Sequence, residues 1–234
     1  MSPRNRRPFV AILGAWAAFS CTACESESHS TAPRPPAADA GSPSESSRRR
    51  QAFDEAYRRG VSLMEAYLEL PREKVALNPQ AKTDLPAAIR SLDVAISIDP
   101  ESSTAWWSRG KAEQLLGDHE QAHDAFHRSY QIDGGRNPDS GVQLVLECLE
   151  TGRGGEAVQV AETIRHAQPD NAGMLANLAL AYLINGQIDD AVRSIHAAEA
   201  IDPEDEAIGS AKKRVEDVQS GRRPKPQRIG DSAW

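Results

Sequence analysis

Residues 119–123 read His-Glu-Gln-Ala-His. A spacing of four puts His119 and His123 one turn apart on the same face of a helix, where both can hold one divalent cation. Glu120, between them, has the chemistry of a general base acting on a metal-bound water. Such a set would support zinc-dependent hydrolysis, and His127 continues the series four residues on. By itself the set is incomplete, because zinc needs a third protein ligand. No Gly-x-x-His extension follows, Phe126 stands at the glycine's place, and Glu147 is the acid at a workable separation. Neither a glycine-rich phosphate loop nor a Ser-His-Asp order occurs elsewhere. What the five letters mean therefore depends on the helix that carries them.

The 234 residues include 27 basic and 34 acidic side chains, a formal net charge of −7. That balance argues against a nucleic-acid partner, whose binding surface would be basic. Aromatic residues make up only 5%, while Ala, Glu, Gln, Arg and Leu recur, the composition of a helical protein. At the N-terminus Arg4, Arg6 and Arg7 precede the apolar run Phe9–Phe19, too short to span a bilayer and suited to a signal peptide over 1–20. Small residues then lead into Cys21 and Cys24. The arrangement resembles a bacterial lipoprotein signal, with Cys21 as the lipidated residue and Cys24 as the alternative; plain secretion after cleavage at Ala23 is the other reading. Over 25–47 the chain is almost wholly Ser, Pro, Ala and acids, which cannot bury a core and reads as a spacer, so that 21–49 forms a disordered tether. Cys148 is the one cysteine beyond the signal region, so no disulfide holds the fold together.

A fixed period runs through the rest. Corner dipeptides stand at Asp99-Pro100, Asp133-Gly134, Gln168-Pro169 and Asp202-Pro203, spaced 34, 35 and 34 apart. Ala88, Ala122, Ala157 and Ala191 keep the same spacing, and Gly117, Gly152 and Gly186 mark the turns between. The clearest copy, 172–203, carries Leu175, Leu178, Ala179, Tyr182, Gly186, Ala191, Ile195, Ala198 and Pro203. This pattern resembles the tetratricopeptide repeat, a helix–turn–helix unit of 34 residues. The resemblance implies an all-α, right-handed superhelix of antiparallel helix pairs over 50–219. Its repeats fall at about 50–100, 103–134, 138–169 and 172–203, with a capping helix at 204–219. The first repeat must absorb an insertion at 70–84, and Arg109 and Glu113 occupy two usually apolar positions. The last segment, 220–234, reads as a basic flexible tail.

In that register the histidine motif has a structural explanation. Gly117-Asp118 forms the turn, Asp118 caps the following helix, Glu120 lies in its first turn, and Ala122 is the helix–helix contact. His119 and His123 fall on the more open side, leaving metal binding there as the weaker reading. The resemblance places the binding groove on the first helix of each pair: Trp107, Lys111 and Leu115; Val142, Leu146 and Leu149; Ala176, Leu180, Leu183 and Ile184. Some of these are alternatively ordinary core, covered by the neighbouring helix. Of the adjacent indoles, Trp106 is expected in the core and Trp107 in the groove. The function implied is a non-catalytic scaffold, without cofactor, that binds an apolar helical or extended segment of another protein. Its setting is the outer membrane of the bacterial envelope, facing the periplasm. The competing readings are a zinc hydrolase on His119, Glu120 and His123, and a cell-wall-associated module using Arg222, Arg223, Lys225 and Arg228.

Overall fold

The computed structural model describes residues 44–231. The signal segment, Cys21, Cys24 and most of the spacer lie outside the described residues. Within them the chain is helical throughout: α1 (Glu45–Met64), α2 (Arg72–Leu77), α3 (Ala81–Ile98), α4 (Ser103–Leu116), α5 (His119–Asp133), α6 (Pro138–Thr151), α7 (Gly154–Ala167), α8 (Ala172–Asn185), α9 (Ile188–Ile201) and α10 (Glu206–Gln219), with a 3-10 turn at Glu65–Tyr67. None of these helices is long and apolar enough to cross a membrane.

Four pairs stack in sequence: α1 with α3, α4 with α5, α6 with α7, and α8 with α9. Each pair also packs on the next, and α10 closes the array against α8 and α9. The turns at Gly117, Gly152 and Gly186 all have φ between 78° and 86°, the left-handed conformation that ends a helix and that only glycine adopts without strain. Small residues set the approach of paired helices. Ala88, Ala122, Ala157 and Ala191 are fully buried. A methyl at Gly110 would lie 2.9 Å from the Phe126 ring, so glycine is what lets α4 and α5 close. Polar caps start the helices: Asp118 accepts from the Gln121 N–H, Asn171 from that of Met174, and Asp205 from those of Ala207 and Ile208. The charged pair in the usually apolar positions is satisfied locally, Arg109 Nε donating to Asp93 at 2.8 Å and Arg109 Nη2 lying 3.5 Å from Glu113.

Three boundaries depart from expectation. The helical domain begins at Glu45 rather than at 50, because Ser44 accepts the Ser47 N–H and Glu45 sits in the first turn, where an acid is favoured. The insertion is not loose: α2 packs on α3 and α4, burying Val75 in the N-terminal core with Met64, Tyr67, Leu85 and Leu92. Over 221–231 the expected flexible tail is seated on the array. The Ile229 N–H donates to the Leu149 carbonyl at 2.9 Å and Lys225 Nζ to the Ile184 carbonyl at 3.1 Å. Those carbonyls belong to the last turns of α6 and α8, which have no partner within their own helices. The Asp231 carboxylate, accepting from the N–H groups of Gln227 and Arg228, folds the tail into a loop that buries Pro226.

Candidate functional site

Two features could carry chemistry or binding: a strip along the first helices of the pairs, and the cluster around His123.

The strip centres on α4 and α6. Trp107 is half-buried, its ring edge-on to Phe126 at 6.4 Å between centroids, with Lys111 Nζ 5.9 Å from its own centroid. The buried Trp107 indole Nε1 has no acceptor, although Trp107 lines a cavity of about 190 Å³ with Tyr57, Ser103, Thr104, Ser129, Asn137 and Asp139. Val142 and Leu146 continue the strip on α6, also half-buried. Beside it lies a polar chain. Lys111 Nζ donates to Gln114 Oε1 at 2.6 Å, Gln114 Nε2 to Gln143 and to the fully buried Glu147, and Glu147 Oε2 lies 2.8 Å from His119 Nδ1. Arg72 of α2 completes the surroundings, 3.9 Å from Glu147 and 3.3 Å from Glu150. Burial, and then the Arg72 charge, depress the Lys111 ammonium below the usual lysine range, while Glu147 opposes that shift.

The second feature lies between α5, α6 and α7. His123 Nε2 is 3.1 Å from Glu156 Oε2. Its Nδ1 faces Asp124 Oδ1 and Arg153 Nη1, each at 3.1 Å. One carboxylate oxygen of Glu156, Oε1, is buried without a hydrogen-bond donor, and the Cys148 thiol is fully buried beside it. Burial and the Glu156 carboxylate push that thiol far above the usual cysteine range.

Residues 149–215 match the family model for the tetratricopeptide repeat. No curated protein matches the sequence significantly. Among solved structures, the chain is similar to MamA from Desulfovibrio magneticus at a TM-score of 0.51, with 19% identity over 64% of this chain and 87% of that one. A second MamA structure, MSR-1 C2, gives 0.54 with 17% identity over 74% and 87%. YrrB, titled a TPR protein with an unusual peptide-binding site, gives 0.53 with 15% identity over 76% and 86%. The fold is a tetratricopeptide-repeat solenoid.

Within this solenoid the residues expected in the groove divide. Trp107, Lys111, Val142 and Leu146 retain partial exposure on α4 and α6. Leu115 is partly buried against the N-terminal cluster that takes in Val75 of α2. Leu149, Ala176, Leu180, Leu183 and Ile184 are core instead, each at most 7% exposed. They share one apolar cluster with Ile208, Ala211 and Val215 of α10, and Ile229 of the tail packs against it. Neighbouring helices of the stack, with α10 against α8 and α9, thus bury these positions. The surviving strip is also not wholly apolar, since Glu147, Gln114 and Gln143 adjoin it. The indoles do not divide into one core ring and one groove ring: both are half-buried, Trp107 packing one side on the core and Trp106 donating its Nε1–H to the Pro100 carbonyl at 2.9 Å.

His123 needs the same correction, being 4% exposed rather than on an open face. The two motif histidines do not converge. His119 turns to Glu147 and His123 to Glu156, while Glu120 is exposed and pairs with Arg153. Sequence reasoning missed the grouping of His123 with Cys148 and Glu156. A signal was available: His123 and Glu156 each adjoin a contact alanine, Ala122 and Ala157, and Cys148 fills a slot where the repeat usually carries tyrosine. The tail's basic residues turn inward or to neighbours, Arg222 to Asp217, Arg228 to Asp231 and Lys225 to the Ile184 carbonyl.

Proposed function

We propose that this chain is a non-catalytic protein-binding scaffold whose strip of Trp107, Lys111, Val142 and Leu146 takes an apolar helical or extended segment of a partner. The observation that carries the reading is the Trp107 indole N–H, buried with no acceptor on a residue whose ring lines a cavity. A buried tryptophan donor normally finds a partner. A carbonyl of an incoming backbone would supply one, with Val142 and Leu146 offering apolar contact alongside. YrrB, with the same fold, is described as having a peptide-binding site. The lipoprotein-like signal supports export and attachment through a lipid on Cys21, facing the periplasm from the outer membrane, with an envelope protein as the partner.

A photo-crosslinking amino acid at position 142 of the full chain, activated in the intact envelope and followed by mass spectrometry, tests the strip. A discrete adduct is expected, and Trp107→Ala should abolish it while leaving far-ultraviolet circular dichroism unchanged. An adduct that survives Trp107→Ala would move the binding surface elsewhere. Metabolic labelling with a fatty-acid analogue tests the anchor: label lost in Cys21→Ser supports it, and label lost only in Cys24→Ser assigns the other cysteine. Export without label rejects the anchor.

A further inference from the structure

His123, Cys148 and Glu156 come from three different helices, yet a ligand atom of each lies within 4.8 Å of those of the other two. Two donors bound tetrahedrally to one zinc ion, at bond lengths of about 2.0–2.3 Å, stand about 3.3–3.8 Å apart. Small side-chain adjustments from the present positions reach that geometry; the closest pair, His123 Nε2 and Glu156 Oε2, is at 3.1 Å. We infer that these three residues form a zinc site joining α5, α6 and α7, with His127 as the fourth ligand.

Three observations besides proximity favour it. The buried Glu156 Oε1 lacks any hydrogen-bond donor, an orphaned acceptor of the kind a cation satisfies. The ring of His127 is stacked on His123, and its Nε2 stands 3.7 Å from that same oxygen. His127 and Glu156 also line a cavity of about 420 Å³, with Tyr130, Gln131 and Gln159, which gives an ion a route from solvent. A thiolate, a carboxylate and two neutral imidazoles suit a borderline-soft divalent ion better than calcium or magnesium. The two negative ligands also cancel its charge in a buried place. Asp124 Oδ1 would accept the Nδ1 proton of His123 and leave Nε2 free to coordinate. Arg153 Nη1, now 3.1 Å from Nδ1 and 3.4 Å from Nε2, occupies the ion's side of the ring and must turn away for the ion to bind, while Glu120 already holds its other Nη.

The site is not the one the His-Glu-x-x-His spacing suggests. His119 takes no part, and Glu120 has no water to activate. The ion is a staple between the second and third repeats rather than a catalyst.

The test uses the full chain with Cys21→Ser and Cys24→Ser, so that Cys148 is its sole thiol. Titration with cobalt(II) should give one equivalent bound, tetrahedral d–d bands and a thiolate-to-cobalt charge-transfer band. Zinc should then displace the cobalt, and X-ray absorption of the zinc form should show one sulfur shell at about 2.3 Å. Cys148→Ser should remove the charge-transfer band, and His123→Gln should weaken binding at least tenfold. His119→Gln should leave both unchanged. Cobalt binding without a sulfur band, no binding at all, or equal losses from His119→Gln and His123→Gln would each overturn the proposal. The X-ray measurement needs no variant at positions 119–156, so it decides the matter even if a substitution there prevents folding.

Discussion

A methyl group added at Gly110 would meet the fully buried Phe126 ring at 2.9 Å, so that ring would have to shift within the core. Gly110→Ala should therefore cost about 1–3 kcal/mol, as overpacking does, although alanine is the better helix former. Urea unfolding at constant m-value measures it. Tyr182 offers a test of opposite character. Its hydroxyl donates to Glu162, and burial followed by that hydrogen bond raises its pKa to about 12. The unfolded chain loses the Tyr182 proton near pH 10, the folded one near 12. Above pH 10 the unfolded state thus binds fewer protons, and stability falls as pH rises. The contribution is complete below pH 10 and gone above about 12. Tyr182→Phe should flatten the stability profile across this window relative to the native chain, and matching slopes would reject the assignment. Leu180, at 6% exposed, is core rather than groove, so Leu180→Ala should cost about 2–5 kcal/mol in the same unfolding assay.

Helices and their partners were legible wherever one residue type sufficed to mark a position. The alanine at each contact, the glycine after the first helix of the last three pairs and the corner after each second helix all recur at fixed separations. Local sterics require each of them. Exposure was much less legible, because it depends on segments outside the repeat. Ala176 and Leu183 look like groove positions until the helices packed on α8 bury them, and Leu115 until it meets the cluster that takes in Val75 of the insertion. The His123 grouping was hidden for a related reason, since its three members lie on separate helices and meet only when the pairs stack. The tail makes the point testable. Deleting 221–234 removes the donors to the Leu149 and Ile184 carbonyls and uncovers the apolar surface under Ile229. Such a variant should bind a hydrophobic dye more strongly and melt at a lower temperature. Equal melting temperatures would mean that the tail contributes nothing to the fold.

A solenoid is held together by neighbours alone: each repeat touches the ones before and after it, and stability is roughly a sum along the array. No pair here can bury its apolar face by itself, which is why α10 is needed at the end. Its Ile208, Ala211, Val215 and Val218 face the stack, and its exposed side carries Lys213, Glu206 and Ser210. Replacing Ile208 and Val215 together by Asp should detach the cap and shift the chain towards higher oligomers in light scattering. A monomer of unchanged mass would show that the cap is dispensable.

Glu150 receives Arg72 from the insertion at 3.3 Å, and a Cβ built on Gly230 would lie 3.3 Å from its other oxygen. The insertion is thus bonded to a carboxylate of the third repeat that the tail passes beside, and the tail itself is bonded to the adjacent Leu149 carbonyl. The Arg72–Glu150 pair links residues 78 positions apart, in an architecture whose repeats mainly meet their immediate neighbours. An open spring of this type can fray from either end and form in any order, whereas a latched one must close a long loop before its last bonds are made. Removing both Glu150 and the tail should thus leave a molecule that folds faster and loses its structure in separate stages.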